Sequence, residues 1–132
     1  MAVFRPEEKL EVCTLNFDDK FTYEIPLDEE TNINIAKIGD KQVKALKAVN
    51  IDDVDALKKA YNTTLDAIDE ILGEGAGADI MSLYKKPGLM QTVAVINYIT
   101  TEYISAYNAL LDRYKATATL PNEHPAVKRG RK

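Results

Sequence analysis

The side chains of this sequence that could do acid–base or metal chemistry are mainly carboxylates on one predicted helix. Asp66 and Asp69 lie about one helical turn apart, as do Glu70 and Glu74, so each pair can share a helix face. Paired carboxylates can act as general acid and base or hold a divalent cation, but both roles need a shaped, partly buried pocket. No residue pattern marks such a pocket. We therefore predict a solvated acidic face, and a small enzyme with a site around Asp66, Asp69 and Glu70 stays as a minor alternative.

A glycine-rich segment follows the same helix. Gly73, Gly75 and Gly77 superficially resemble the glycines of a phosphate-binding loop. Such a loop needs a strand before it and a helix after it, whereas a helix precedes this segment. A hinge is therefore the favoured interpretation, and nucleotide binding is not expected.

One cysteine and one histidine are present, Cys13 and His124, and they lie far apart in the sequence. A nucleophile needs a base within hydrogen-bond distance, and a zinc site needs several cysteine or histidine ligands. Neither can be assembled, so we predict no catalytic residue, no metal site, no cofactor and no enzymatic activity. Cys13 is predicted to be a small packing residue. Because it has no partner for an internal disulfide, a reducing cytosol is the simplest compartment.

Charge is distributed unevenly along the 132 residues. Residues 1–120 carry 13 Lys and Arg against 20 Asp and Glu, a net charge of −7, whereas residues 121–132 carry a net charge of +3. An acidic body argues against wrapping a nucleic-acid duplex, because neutralisation of phosphates by basic side chains supplies most non-specific affinity. Nucleic acid is not the expected partner. A small nucleic-acid-binding or regulatory module that uses the basic segment from Lys128 to Lys132 stays as the alternative function.

Neither a signal peptide nor a membrane anchor is predicted. The N-terminal residues lack the apolar core of a signal peptide. The uncharged window of residues 87–101 spans fifteen residues, which is fewer than the roughly 20 residues that cross a bilayer as a helix. We expect a soluble, cytoplasmic protein without a membrane partner.

The N-terminal part predicts a β-hairpin. Residues 10–17 and 21–25 are two short runs rich in β-forming residues, and Asp18, Asp19 and Lys20 form a polar turn between them. A lone hairpin is marginally stable in water, so its apolar face should pack on the helices or pair with another subunit.

Helical segments follow the hairpin. Residues 27–50 predict a helix that is broken near Gly39, because glycine weakens a continuous helix. Residues 79–85 predict a short helix that ends before Pro87. Residues 52–72 are the clearest helix, with a 3.6-residue apolar period and a glycine after its last apolar position. Its core side chains are expected to be Val54, Leu57, Tyr61, Leu65, Ile68 and Leu72.

The sequence as a whole predicts a mainly helical α+β protein, with an N-terminal β-hairpin followed by three to five helices. Residues 10–116 form the single predicted domain. Residues 1–9 are predicted to be a flexible N-terminus. Residues 117–132 lack hydrophobic periodicity and are predicted to be a disordered basic tail.

The last predicted helix, residues 89–114, carries the candidate functional surface. Its first half is apolar on every side, which requires cover from its own domain or from a partner. Tyrosines recur along it, and a large apolar ring with a polar tip suits contact surfaces. The plainer interpretation is an ordinary core, but so small a domain has few other elements with which to cover this helix. We therefore predict partner or subunit contacts through Leu89, Met90, Val93, Ile96, Tyr98, Tyr103 and Tyr107.

The segment from Ile68 to Tyr84, IDEILGEGAGADIMSLY, is followed by a proline-led apolar helix. This arrangement resembles small tail proteins of long-tailed phages and of prophages in Gram-positive bacteria. In that family a helix ends in a similar Gly-Glu-Gly segment, and a short helix, a Gly/Pro break and a last helix follow. The resemblance covers residues 10–115. Where the family often has Phe-Gly before the break, residues 83–86 of this chain read Leu-Tyr-Lys-Lys.

The resemblance implies a tail assembly chaperone, which binds the tape-measure protein before the tail tube grows around it. It implies no catalytic residues. The expected partners are the tape-measure protein, the tail tube protein as a second candidate, and further copies of the chain in a homo-oligomer, all in the cytoplasm of the bacterial host cell. A tape-measure protein is a long helical chain whose apolar faces would aggregate before assembly. Its chaperone therefore needs an exposed apolar or aromatic strip, which an amphipathic helix can contact, and an acidic exterior.

Overall fold

The computed structural model describes residues 2–4 and 11–118. It is an α+β structure, 66% helical, with a two-stranded antiparallel hairpin followed by four helices, which confirms the predicted fold class. The predicted flexible N-terminus and basic tail lie largely outside the described residues, and so does His124. No helix in the described ranges is long and apolar enough to cross a membrane. The elements are β1 (Val12–Phe17), β2 (Phe21–Pro26), α1 (Glu29–Lys47), α2 (Val54–Leu72), α3 (Ala76–Met81) and α4 (Leu89–Thr117).

The hairpin forms where the sequence predicts it. Asp18 and Asp19 occupy the turn with φ angles of 56° and 58°, a left-handed conformation that aspartate tolerates better than most residues. Oδ1 of Asn16 accepts a hydrogen bond from the Asp19 N–H (2.8 Å), and Nδ2 of Asn16 donates to Oδ1 of Asp19 (2.9 Å). Three alternate side chains of β1 are buried in the core: Cys13, Leu15 and Phe17.

Helix α1 is continuous, so the predicted break near Gly39 is wrong. Its first turn is capped by Asp28, whose carboxylate accepts a hydrogen bond from the Thr31 N–H (2.7 Å). Gly39 lies in the helix interior and faces α4. A Cβ built on Gly39 would lie 4.0 Å from Cγ2 of Thr100, an ordinary contact distance. Packing against α4 outweighs the helix-weakening effect of one glycine, which is about 1 kcal/mol.

Helix α2 confirms the clearest prediction. It ends at Leu72, and the next residue, Gly73, is its C-cap with a φ of 119°. Its N-cap is Asp53, whose carboxylate accepts a hydrogen bond from the Ala56 N–H (3.0 Å). The set of expected core side chains is only partly right. Ile68 is fully buried, whereas Val54 is 59% exposed, because it lies in the first turn beyond the elements that cover the helix. The other four are partly buried beside the most buried line of the helix, which consists of Ala60, Thr64 and Ile68.

Helix α3 starts three residues before its predicted position, at Ala76 instead of Asp79, and ends at Met81. The shift has a specific cause in α2. The carboxylate of Asp69 accepts a hydrogen bond from the Gly77 N–H (2.7 Å), which fixes the first turn of α3 against the end of α2. Sequence periodicity does not register such a contact between two elements.

Helix α4 begins at Leu89, as predicted, and continues to Thr117. It contacts β1 and all three other helices. One cluster of buried side chains joins the hairpin to the helices. Its members are Cys13, Leu15, Phe17, Ile25, Ile35, Ile68, Ala76, Ile80, Met81, Val95, Ile96, Ile99 and Tyr103.

Candidate interaction surface

Helix α4 has a buried face and an exposed face, and the seven predicted contact residues are divided between them. Ile96 and Tyr103 are buried in the core, and Met90 is 82% exposed. The other four, Leu89, Val93, Tyr98 and Tyr107, are partly exposed. The structure therefore does not bring the seven together on one surface.

Tyr103 is a correction to the predicted contact surface, because its side chain has no exposed area in this chain. Its hydroxyl lies within hydrogen-bond distance of the carbonyl oxygens of Pro26 (2.9 Å) and Asp28 (3.3 Å). Burial, and then the negative charge of Asp28, raise the pKa of Tyr103 to about 12. The ring stacks on Tyr107 with a centroid distance of 6.1 Å. Ile96 is corrected for the same reason, since it is 3% exposed and packs in the same core.

The Tyr98 side chain contacts the hairpin instead of projecting fully into solvent. Its hydroxyl accepts a hydrogen bond from the Asn16 N–H (3.3 Å) and donates to the Asn16 carbonyl oxygen (3.2 Å). Its ring meets Phe17 edge-on, with a centroid distance of 5.2 Å and an interplanar angle of 80°. The hydroxyl and one side of the ring of Tyr98 thus make contacts within the chain, and only the remainder of the side chain is exposed.

An apolar groove runs between α1 and α4, and we call it the α1–α4 groove. Its volume is about 560 Å³. Ile35 and Ile96 are buried at its floor, whereas Val43 and Ile104 are each 51% exposed at its walls. Asp40 is the one charged residue among the described residues that line it. The full lining is Asn32, Ile35, Ala36, Gly39, Asp40, Gln42, Val43, Leu46, Val93, Ile96, Asn97, Thr100 and Ile104.

Sequence reasoning missed the α1 wall of this groove. Val43 and Leu46 show helical spacing in the sequence, which identifies an apolar face but does not indicate whether another element covers it. In the structure both side chains are exposed beside α4. Of the predicted contact residues, Val93 and Ile96 line the groove, whereas Met90 does not. Met90 lies three residues, or nearly one helical turn, before Val93 on α4.

A second apolar region lies at the C-terminal end of α4. Leu111 and Tyr114 are exposed there. Arg113 and Glu11 form an ion pair in this region (3.3 Å). Both side chains of the pair are about half or more exposed. This region is separate from the α1–α4 groove, and its lining includes polar as well as apolar residues.

The three carboxylates of the candidate acidic site do not all line one pocket. Asp69 accepts the hydrogen bond from the Gly77 N–H, so its carboxylate has a structural role. Asp66 and Glu70 are exposed and face Lys37 across a cleft between α1 and α2. No group of three or more His, Cys, Asp or Glu suited to a metal ion occurs among the described residues. Asp66 and Glu70 therefore share this cleft, whereas Asp69 does not line it.

The remaining candidates have structural explanations. Cys13 is 5% exposed, which confirms its predicted packing role. Burial, and then the negative charge of Glu102, raise the pKa of the Cys13 thiol, so the reactive thiolate is disfavoured. Gly73 and Gly75 have positive φ angles and connect α2 to α3, as expected for a link between helices rather than a strand-to-helix phosphate loop.

The chain matches no protein-family model, and neither the curated proteins nor the solved structures contain a significantly similar chain.

Proposed function

We propose that this protein is a non-catalytic tail assembly chaperone of a long-tailed phage or prophage, and that it binds the tape-measure protein through the α1–α4 groove and its rim. The observation that carries the proposal is the exposure of apolar side chains along this groove. Val43, Leu46 and Ile104 all line the groove, and their side chains are 51%, 39% and 51% exposed. Single exposed apolar residues are ordinary, but a continuous apolar groove between two helices suits a binding partner.

The chemistry of a tape-measure protein supports this choice of client. A long helical chain carries apolar faces that aggregate until the tail tube encloses them. An amphipathic helix can place such a face in a hydrophobic groove, with its polar side left in water. The net charge of −7 over residues 1–120 would keep the bound complexes apart in solution.

The cellular setting of the proposal follows from the resemblance. The protein acts in the cytoplasm of the bacterial host, with several copies along one client, and these copies form a homo-oligomer. The tail tube protein is the second candidate partner, since the tail tube grows around the tape-measure protein. No cofactor and no catalytic residue take part.

The test is co-expression of the full chain with the tape-measure protein encoded in the same genome. The soluble fraction of the tape-measure protein and its retention on the tagged chaperone are measured. Ile104→Glu places a charge on the groove wall and should lower retention by about tenfold or more. Val54→Glu is the matched control, because Val54 is similarly exposed but lies on α2 and does not line the groove. It should retain the client as the wild-type chain does.

Two results would reject the proposal. One is a stable monomer by light scattering together with no retention of the tape-measure protein by the wild-type chain. The other is DNA binding that falls steeply with salt and disappears when residues 121–132 are removed, which would favour the nucleic-acid alternative. Circular dichroism of both variants establishes that any loss of retention does not come from unfolding.

A further inference from the structure

The α1–α4 groove has the length of a short helical segment. Its lining runs from Asn32 to Leu46 on α1 and from Val93 to Ile104 on α4. At a rise of 1.5 Å per residue these stretches are about 21 Å and about 17 Å long. A docked helix of about 11 to 14 residues, or three to four turns, would span the same distance.

The backbone of the groove favours a helix over an extended peptide. Both walls are helices, so their N–H and C=O groups are bonded within α1 and α4. The Thr100 hydroxyl is also occupied, since it donates to the Ile96 carbonyl oxygen (3.0 Å). An extended peptide would find few partners for its backbone N–H and C=O groups here, chiefly the side chains of Asn32 and Asn97, whereas a helix satisfies its own. The buried lining residues are Ile35, Ile96 and Gln42, and the Gln42 amide donates its hydrogen bond to the Thr64 hydroxyl (2.8 Å) within the chain. Because the floor is mainly apolar, the helix that fits is amphipathic.

The negative charge of the groove predicts a basic side chain on the flank of the docked helix. Asp40 is the one charged residue among the described groove-lining residues, and its only ion pair in the described chain is with Lys44 (3.2 Å). Both side chains of that pair are largely exposed, and exposed pairs of this kind are weak. A docked helix would partly remove water from Asp40, so a cation on the helix would be favoured there. The net charge of −7 over residues 1–120 acts in the same direction and favours a basic segment of the client over a second copy of this acidic chain as the occupant of the groove.

We infer that the α1–α4 groove binds one amphipathic helix of the client, about three to four turns long, with a lysine or arginine on the flank that meets Asp40. The inference rests on the proposed function and specifies which part of the tape-measure protein is bound.

The test uses two synthetic helical peptides of about 14 residues with the same leucine-and-alanine stripe. One carries lysine and the other glutamate at a single flanking position, and binding to the full chain is followed by fluorescence anisotropy. The lysine peptide should bind the wild-type chain about threefold more tightly than the glutamate peptide. Asp40→Lys should reverse this preference.

Two further variants locate the site. Val43→Glu should weaken binding of both peptides by about tenfold or more, because it places a charge on the groove wall. Val54→Glu is the matched control outside the groove and should leave binding unchanged. Thermal unfolding of each variant shows whether the fold is intact.

The inference is overturned if Val43→Glu and Val54→Glu have equal effects, or if Asp40→Lys leaves the peptide preference unchanged. It is also overturned if the chain self-associates through the groove, seen as an oligomer in sedimentation that Val43→Glu alone converts to a monomer. Its failure is distinguishable from that of the proposed function. If Val43→Glu retains the tape-measure protein as the wild-type chain does, the groove is not the binding site; this inference is then removed, and of the proposed function only the chaperone role is kept. If the peptides bind as expected but the tape-measure protein is not retained, the groove still binds an amphipathic helix and the proposed function is rejected.

Discussion

The Tyr103 hydroxyl donates a hydrogen bond to the Pro26 carbonyl oxygen over 2.9 Å, which joins the middle of the longest helix to the end of the hairpin. Five residues earlier on α4, the Tyr98 hydroxyl bonds the backbone of Asn16 on the other strand. A two-stranded hairpin is marginally stable alone, and these two tyrosines fasten both of its strands to α4. The tyrosines that suggested a contact surface therefore act largely inside the chain, and the exposed apolar groups around the groove are aliphatic.

The hydroxyl of Tyr103 should contribute measurably to stability. Tyr103→Phe keeps the buried ring but leaves the Pro26 carbonyl oxygen without this donor, so the free energy of unfolding should fall by about 1–2 kcal/mol. Urea unfolding followed by circular dichroism measures the change. Tyr114→Phe is the control, because Tyr114 is exposed on the same helix. Equal stability of Tyr103→Phe and the wild-type chain would contradict the role assigned to this hydrogen bond.

The raised pKa of Tyr103 predicts a loss of stability at alkaline pH. Its folded-state pKa of about 12 exceeds the ordinary tyrosine pKa of 10.0, so the protonated phenol is favoured by folding. This contribution is fully present below pH 10 and is lost as the pH rises from 10 to 12. Within that window the free energy of unfolding should fall by at most about 1.4 kcal/mol per pH unit from this group.

Comparing the wild-type chain with Tyr103→Phe separates the contribution of Tyr103 to the pH dependence of stability from the contributions of other titrating groups. The pKa of Tyr23 is also raised, first by burial and then by the negative charges of Asp79 and Asp69. Tyr23 is present in both proteins, so its contribution cancels in the difference. The stability difference between the wild-type chain and Tyr103→Phe should shrink between pH 10 and 12. A difference that stays constant over this range would show that Tyr103 does not titrate as assigned.

The elements of the fold were predictable where the apolar period is regular and local. The hairpin and α2 follow directly from spacing and turn residues. The break expected near Gly39 was wrong because helix propensity describes an isolated segment, whereas α1 is stabilised by α4. The early start of α3 depends on the hydrogen bond between Asp69 and Gly77, which no periodicity reveals.

The candidate site was predictable only as far as the helix that carries it. A helical wheel gives the angle between Met90 and Ile96, but it does not say which side the other elements cover. In the structure Ile96 faces the core and Met90 faces outward. The α1 wall, including Val43, was missed because the pairing of α1 with α4 is a tertiary choice.

Gly77 is predicted to tolerate no side chain. A Cβ at this position would lie 3.0 Å from the Leu65 carbonyl oxygen and 3.1 Å from Oδ1 of Asp69. The first of these is backbone in the middle of α2 and cannot yield easily, so Gly77→Ala should lower the free energy of unfolding by about 1–3 kcal/mol. Chemical unfolding measures this value. A neutral or stabilising effect would mean that α3 can move away from α2 at little cost.

Gly39 should respond in the opposite direction to the same substitution. A Cβ there would meet only Cγ2 of Thr100, at 4.0 Å, and α1 is helical through this position. Gly39→Ala removes the entropic cost of glycine in a helix and should raise the free energy of unfolding by about 0.5–1 kcal/mol. Chemical unfolding of Gly39→Ala and Gly77→Ala, measured side by side, compares the two free energies of unfolding, since both variants add one methyl group.

Because Gly39 also lines the α1–α4 groove, the added methyl group should narrow the groove and weaken peptide binding even as the fold gains stability. Stabilisation with unchanged peptide affinity would place the bound helix away from the centre of α1, and destabilisation would show that α1 and α4 pack more tightly at Thr100 than a 4.0 Å contact implies.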